Sequence, residues 1–121
     1  MSTRFEFATA TRIVFGAGTF QQIGSIAKEF GRHALIVTGQ TTSRAESLSA
    51  LLSPVGIKST IFPVAGEPEV STVEKGVTAA RESGCDMVIS LGGGSALDAG
   101  KAIAAMLANP GELLDYLEVI G

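Results

Sequence analysis

Apolar runs at four places divide the chain, and the segments between them carry helical spacing. Arg12-Ile13-Val14-Phe15, Ala34-Leu35-Ile36-Val37, Ile57–Phe62 and Asp86–Leu91 read as strands. The second and fourth are continuously apolar, the pattern of strands covered on both faces. Phe20, Ile23, Ala27 and Phe30 recur at the period of a helix, with Thr19 placed to cap it and Gly31 to stop it. Further helices are predicted over Arg44–Leu52, closed by Pro54 and Gly56, and over Val70–Ser83, closed by Gly84. A last one spans Ala96–Ala108, closed by Asn109-Pro110-Gly111. Strands alternating with helices predict an α/β fold, a Rossmann-like parallel sheet flanked by helices on both faces. Phe5-Glu6-Phe7 beside Arg12–Phe15 adds a short N-terminal strand pair. The tail from Glu112 to Gly121 carries Leu113, Leu114, Leu117, Val119 and Ile120 and reads as an exposed apolar segment.

Open parallel sheets bind ligands at the carboxyl ends of their strands. The residues just beyond Phe15, Val37, Phe62 and Leu91 are therefore the ones to weigh. After Leu91 come Gly92, Gly93, Gly94 and Ser95, opening directly into a helix. Glycines let an anion approach backbone N–H groups, and a helix N-terminus adds donors and partial positive charge. Ser95 with Asp98 three residues on resembles a capping box. The loop therefore suits a pyrophosphate; a tight turn that binds nothing is the other reading. It is not a P-loop, because Gly100-Lys101 is followed by Ala102. Gly16-Ala17-Gly18 fails the GxGxxG pattern, with Gln21 at the third glycine position. Arg44 reads either as a group near an anion beyond the second strand or as a solvated helix residue. Asp98 and Lys101, three apart on a helix, could form no more than a surface pair.

Composition narrows the classes. The 121 residues predict one domain, 1–121. With 45% hydrophobic residues and a mean hydropathy of +0.36, a disordered tail is excluded. Charged residues make up 17% of the chain, below the usual ~25%, a hint that some surface is meant to be covered. The net charge is −3 and the basic residues are scattered, so no nucleic-acid partner is expected. One cysteine, Cys85, excludes an internal disulfide, and one histidine, His33, excludes a multi-histidine metal site. Both read as structural residues. No signal peptide and no membrane span are expected, which places the domain in the cytoplasm.

The stretch Gly92-Gly93-Gly94-Ser95-x-x-Asp98-x-x-Lys101 resembles the GGGSxxDxxK signature of iron-type (group III) alcohol dehydrogenases. Arg12–Gly18, Ala34–Thr38 and Asp115-Tyr116-Leu117 support the likeness. The resemblance implies an N-terminal dinucleotide-binding domain whose glycine loop holds the cofactor pyrophosphate. Gly92, Gly93, Gly94 and Ser95 are implicated, with Asp98 toward the nicotinamide end. Gly39, Gln40 and Thr41 follow the second strand, where the family contacts the adenosine ribose, often through an Asp that favours NAD. Gly39 stands there, so the resemblance implies NAD or NADP, with Thr41, Thr42, Ser43 or Arg44 as candidate donors to a 2′-phosphate.

By the same resemblance, the family's helical C-terminal domain, which supplies the site for a divalent metal such as iron, is expected to have no counterpart in these residues. No catalytic or metal-binding residue is therefore expected in this chain, and the chain alone is expected to be inactive. The parent reaction would move hydride between a small alcohol or carbonyl and NAD(P). Two alternatives stand beside that reading. One is a stand-alone dinucleotide- or phosphate-binding module. The other is a self-associating protein using its N-terminal strands or its apolar tail.

Overall fold

The computed structural model describes residues 12–15, 22–108 and 115–119. Five strands, β1 (Arg12–Phe15), β2 (His33–Thr38), β3 (Lys58–Pro63), β4 (Met87–Leu91) and β5 (Asp115–Val119), form one sheet in the order β3-β2-β4-β5-β1. Every pairing is parallel. The helices are α1 (Ile23–Ala27), α2 (Ser43–Leu52), α3 (Val70–Ser83) and α4 (Gly94–Leu107), with a 3₁₀ turn at Ser53–Val55.

Alternation along the strands divides the core in two. Ala34, Ile36, Met87 and Ile89 face α1 and α2, packing with Ile23, Ala45 and Leu48. Leu35, Val37 and Val88 face α3 and α4, packing with Val77, Ala80 and Ile103. Both faces are covered, which is why the strand sequences read as unbroken apolar runs. Full burial of a Leu or Ile contributes about 1.5–3 kcal/mol, and Leu35, Ile36 and Ile89 are all fully buried.

Helix ends hand the chain to the next strand by one recurring device. Gly84 closes α3 at φ 75, its N–H reaching the Arg81 carbonyl while Cys85 N–H reaches that of Ala80. This is a Schellman closure, and it delivers the chain straight into β4. Gly56 and Ile57 repeat it on the Ser53 and Leu52 carbonyls, just before β3.

The helices also fix the hand and the ligand-binding end. The crossovers through α1 and α2 run along the sheet toward β3 on one face. Those through α3 and α4 run back toward β1 on the other. All four then share one hand, as parallel crossovers do. The direction reverses between the neighbours β2 and β4, so the helices after them diverge and leave a crevice at the strands' carboxyl ends.

Some expectations change. Among the described residues of the helix predicted over Phe20–Phe30, Ile23–Ala27 are α-helical and the chain continues as turns at Glu29 and Phe30; Phe20 lies outside the described residues. Gly31 does not stop the helix. An added Cβ there would collide with the carboxylate of Asp86, so Gly31 makes room for a contact from a distant segment. The tail is not an exposed apolar segment where it is described. Asp115–Val119 lies between β4 and β1, with Leu117 and Val119 fully buried, so a parallel strand replaces the apolar surface proposed for self-association. Leu113, Leu114 and Ile120 lie outside the described residues, as do Phe5–Phe7, Gly16-Ala17-Gly18 and Thr19. Arg12–Phe15 pairs in parallel with β5 at one edge of the sheet. Among the described residues no helix is long and apolar enough to cross a membrane.

Candidate functional site at the carboxyl ends of β2 and β4

A cavity of about 510 Å³ occupies the crevice between the diverging loops, within the usual range for small-ligand sites. Thr38, Gly39, Gln40, Thr41 and Arg44 line it from the end of β2, and Val64 and Gly66 from the end of β3. Leu91 through Ala96 line it from β4 and the start of α4. Of the residues singled out in the sequence, Gly39, Gln40, Thr41, Gly92, Gly93, Gly94 and Ser95 are therefore brought together. Asp98 is not among the lining residues; it sits in the second turn of α4 and is exposed.

Two backbone hydrogen bonds build the rim. Val64 N–H donates to the Thr38 carbonyl at 2.7 Å, extending the β2–β3 ladder past the strand ends. Gly92 N–H donates to the Val119 carbonyl at 2.7 Å and ties the glycine loop to β5. That commits the Gly92 donor to the sheet. The turn comes at Gly93, the N-cap of α4, with φ 87 and ψ 134, a conformation that favours glycine. Leu97 N–H makes the first intrahelical bond, to the Gly93 carbonyl. The N–H groups of Gly94, Ser95 and Ala96 therefore have no partner within the helix. No acidic residue lies in this first turn, so nothing there opposes the helix dipole.

The predicted capping box is corrected. Ser95 is the second residue of α4, not its cap, and no side chain caps the helix. A Cβ added at Gly94 would meet nothing within 4 Å, and the same is true at Gly39 and Gly93. Packing thus leaves open space over the loop, a cradle that side chains at these positions would fill. Lys101 reaches Glu118 at 3.7 Å in place of Asp98. The buried Glu118 also accepts from the Tyr116 hydroxyl at 2.9 Å. This pairing belongs to the interface of α4 with β5, where Gly100 lets the helix settle over Ser90 and Tyr116.

Of the two readings of Arg44, the sequence favours a solvated helix residue. The structure places it on the cavity wall. The signal available was its position five residues beyond Gly39, in the first turn of the helix that β2 feeds.

His33 and Cys85 lie at the opposite end of the sheet. His33 Nε2 is 2.9 Å from Thr60 Oγ1. Cys85 is half-buried, and burial pushes its thiol above the usual range; a Thr60 hydrogen bond opposes this and the Asp86 charge adds to it. Among the described residues no group of three His, Cys, Asp or Glu side chains is placed to hold a metal ion.

Residues 10–121 match the family model of iron-containing alcohol dehydrogenases. The chain is 38% identical over 106 residues to NADH-dependent butanol dehydrogenase B of Clostridium acetobutylicum, covering 84% of this chain and 27% of that protein. It is 35% identical over 108 residues to the NAD-dependent methanol dehydrogenase of Bacillus methanolicus, covering 85% and 28%. Among solved structures it is similar to a 1,3-propanediol oxidoreductase, with TM-score 0.79 and 24% identity over 89% of this chain and 33% of that one. An iron-containing alcohol dehydrogenase of Thermotoga maritima matches with TM-score 0.74 and 30% identity, over 95% and 37%. The chain thus spans under a third of the length of these curated relatives.

Proposed function

We propose that this chain, which belongs to the iron-containing alcohol dehydrogenase family, binds a nicotinamide dinucleotide in the cavity between the ends of β2 and β4. It serves as the cofactor domain of an enzyme that moves hydride between a small alcohol and its carbonyl. The observation that carries this reading is the glycine cradle at the sheet's switch point. Gly93 makes the turn, Gly94, Ser95 and Ala96 present their N–H groups, and the space above Gly94 and Gly39 is open. The names of the two relatives, NADH-dependent and NAD-dependent, support the cofactor class.

The residues divide the work by position. The first turn of α4 holds the pyrophosphate through backbone donors and its dipole. Gly92 keeps the loop anchored to β5 and binds no ligand with its N–H, because that donor is already used. Gly39, Gln40 and Thr41 meet the adenosine ribose. With Gly39 in place of a carboxylate, no negative charge there repels a 2′-phosphate, so NADP is accepted as well as NAD. Asp98, one turn beyond the anion site, takes no part in the cavity itself. Bound, the dinucleotide supplies the hydride donor or acceptor.

The residues do not fit the family's iron. The chain has one histidine, and it sits at the far end of the sheet against Thr60. The chain by itself is therefore proposed to be inactive; metal-dependent NAD(P)H oxidation by the purified 121 residues would overturn that.

Calorimetric titration with NADH and NADPH, beside Gly94→Val, tests the cofactor reading. The native chain is expected to bind, and Gly94→Val to lose about a hundredfold or more in affinity, the worth of two hydrogen bonds to a charged group. Its thermal midpoint should stay within a few degrees of the native value, since the new Cβ meets no protein atom within 4 Å. A folded native chain that binds neither dinucleotide, or a variant that binds as well as the native chain, sinks the reading.

A further inference from the structure

We infer that Tyr116 and Glu118 of β5 position the anion cradle from behind. They hold the first two turns of α4, Tyr116 through the Leu97 carbonyl and Glu118 through Lys101. The inference rests on the reading of the cradle given above. It goes beyond that reading by assigning positioning residues that do not line the cavity.

Strand β5 brackets the cradle. Before it, Gly92 N–H is tied to the Val119 carbonyl. After it, the Tyr116 hydroxyl lies 3.0 Å from the Leu97 carbonyl. Between the two anchors lie Gly93, which makes the turn, and the N–H groups of Gly94, Ser95 and Ala96. Leu97 N–H is itself bonded to the Gly93 carbonyl, so whatever fixes Leu97 also fixes the turn.

Glu118 is the one carboxylate buried among the described residues. Burying such a group is costly unless it is paired. A buried ion pair adds little stability over an apolar pair of similar volume, and its best-attested use is to fix one arrangement. Glu118 Oε2 meets Tyr116 Oη at 2.9 Å and Lys101 Nζ at 3.7 Å. The phenol has one proton for two acceptors, Glu118 and the Leu97 carbonyl. Lys101 draws on the carboxylate from α4 and lessens its claim on that proton, which favours the bond to Leu97. Lys101 thereby gains a task that its place in the glycine motif left open.

Gly100 sets the distance between helix and sheet. A Cβ there would collide with Ser90 Oγ and lie 3.2 Å from Tyr116 Cε1, so α4 rides on the strands at backbone contact. Ser90 lies opposite Glu118 in the β4–β5 ladder. Its buried hydroxyl has no hydrogen-bond partner among the described residues. Polar groups are thus kept under this part of α4 at a cost to stability, while the rest of that face is packed by apolar side chains.

The test titrates NADH and inorganic pyrophosphate into the native chain, Tyr116→Phe, Glu118→Leu and Glu118→Gln, with Ile103→Val as control. Tyr116→Phe keeps the ring and removes the hydroxyl. It should weaken both ligands alike, by about fivefold, the worth of one hydrogen bond. Glu118→Leu should weaken both at least as much. Glu118→Gln should recover most of that loss, because a carboxamide still reaches Tyr116 and Lys101. Ile103→Val thins the core beneath α4 beyond Lys101. It should lower the melting temperature without removing a hydrogen bond. Its affinities should stay within about twofold of the native ones, as for independent sites. Native affinity in Tyr116→Phe overturns the inference, as does an equal loss in Ile103→Val, because the network would then be only structural. Weaker NADH with unchanged pyrophosphate also overturns it, since the effect would lie outside the cradle. If the native chain binds neither ligand, the dinucleotide reading falls first. The hold of β5 on α4 is then decided by amide hydrogen exchange. Faster exchange in Tyr116→Phe at Leu97 than in the second half of α4 upholds it; a uniform change, or none, overturns it.

Discussion

At the end of the sheet where β2 begins, polar groups close on one another; where β2 ends, they line an open cavity. Both ends carry a concavity of comparable size, about 580 Å³ beside His33, Ser49, Lys58 and Thr60 and about 510 Å³ beside Gly39 and Gly93. Volume alone does not choose between them. At the first end Ser49 and Ser59 hydroxyls lie 2.6 Å apart and His33 meets Thr60. The Asp86 carboxylate accepts the N–H groups of Arg32 and His33 at 3.0–3.1 Å, and Asp86 N–H returns a bond to the His33 carbonyl. These groups satisfy each other: Asp86 joins the start of β4 to that of β2, His33 joins β2 to β3, and Ser49 joins α2 to β3. At the second end the donors are the opening N–H groups of α4, and the bonds that hold the loop engage only Gly92. A site is marked by polar groups that the fold leaves outward-facing, not by their number.

That contrast predicts opposite phenotypes for the two ends. Gly94→Val should abolish binding with little change in stability. Asp86→Ala should do the reverse. It removes the acceptor shared by two backbone N–H groups, and at this exposed position water takes over part of their bonding. The expected loss is about 1–2 kcal/mol of folding stability, read by urea denaturation. Dinucleotide affinity should stay within about twofold, because Asp86 lies at the amino end of β4 and the cradle at its carboxyl end. A matching loss of affinity in Asp86→Ala would mean that the two ends are coupled, and the contrast would break.

How much of this was legible in the chain depends on which contacts are local. The α3 range is the one expected, because its apolar spacing and its glycine stop lie within one segment. Strands β2 and β4 were legible because burial on both faces leaves an unbroken apolar run. The glycine loop was legible because a turn, a helix start and an open approach are all requirements on consecutive residues. The Asp86 contact was not: it joins residues more than fifty apart in sequence, and Gly31 looked like a helix stop because its real neighbour could not be seen. Strand β5 was misread because Asp115 and Glu118 interrupt its apolar residues. In the fold Glu118 is 1% exposed and faces α4, where Tyr116 and Lys101 meet it. Arg44 read as a solvated helix residue because a charged residue on the polar face of a helix looks the same in sequence whether it faces bulk water or a cavity; it is exposed and lines the cavity.

The smallest effect probes how tightly the first end is closed. Only the thiolate of a cysteine is nucleophilic, and burial first, then the Asp86 charge, raise the Cys85 thiol while the Thr60 hydrogen bond lowers it. At neutral pH Cys85 should therefore be alkylated by iodoacetamide more slowly in the folded chain than in urea. The rate should keep climbing with pH beyond the point where a free thiol levels off, because deprotonation is completed later. Thr60→Val removes the one lowering influence, so it should slow the reaction further and move the profile to higher pH. Loosening the network has the opposite sign: greater access of water to the thiol would speed the reaction. The direction of the Thr60→Val change thus separates a closed hydrogen-bonded network, which the distances among His33, Thr60 and Asp86 describe, from a surface on which Cys85 behaves as an ordinary exposed thiol.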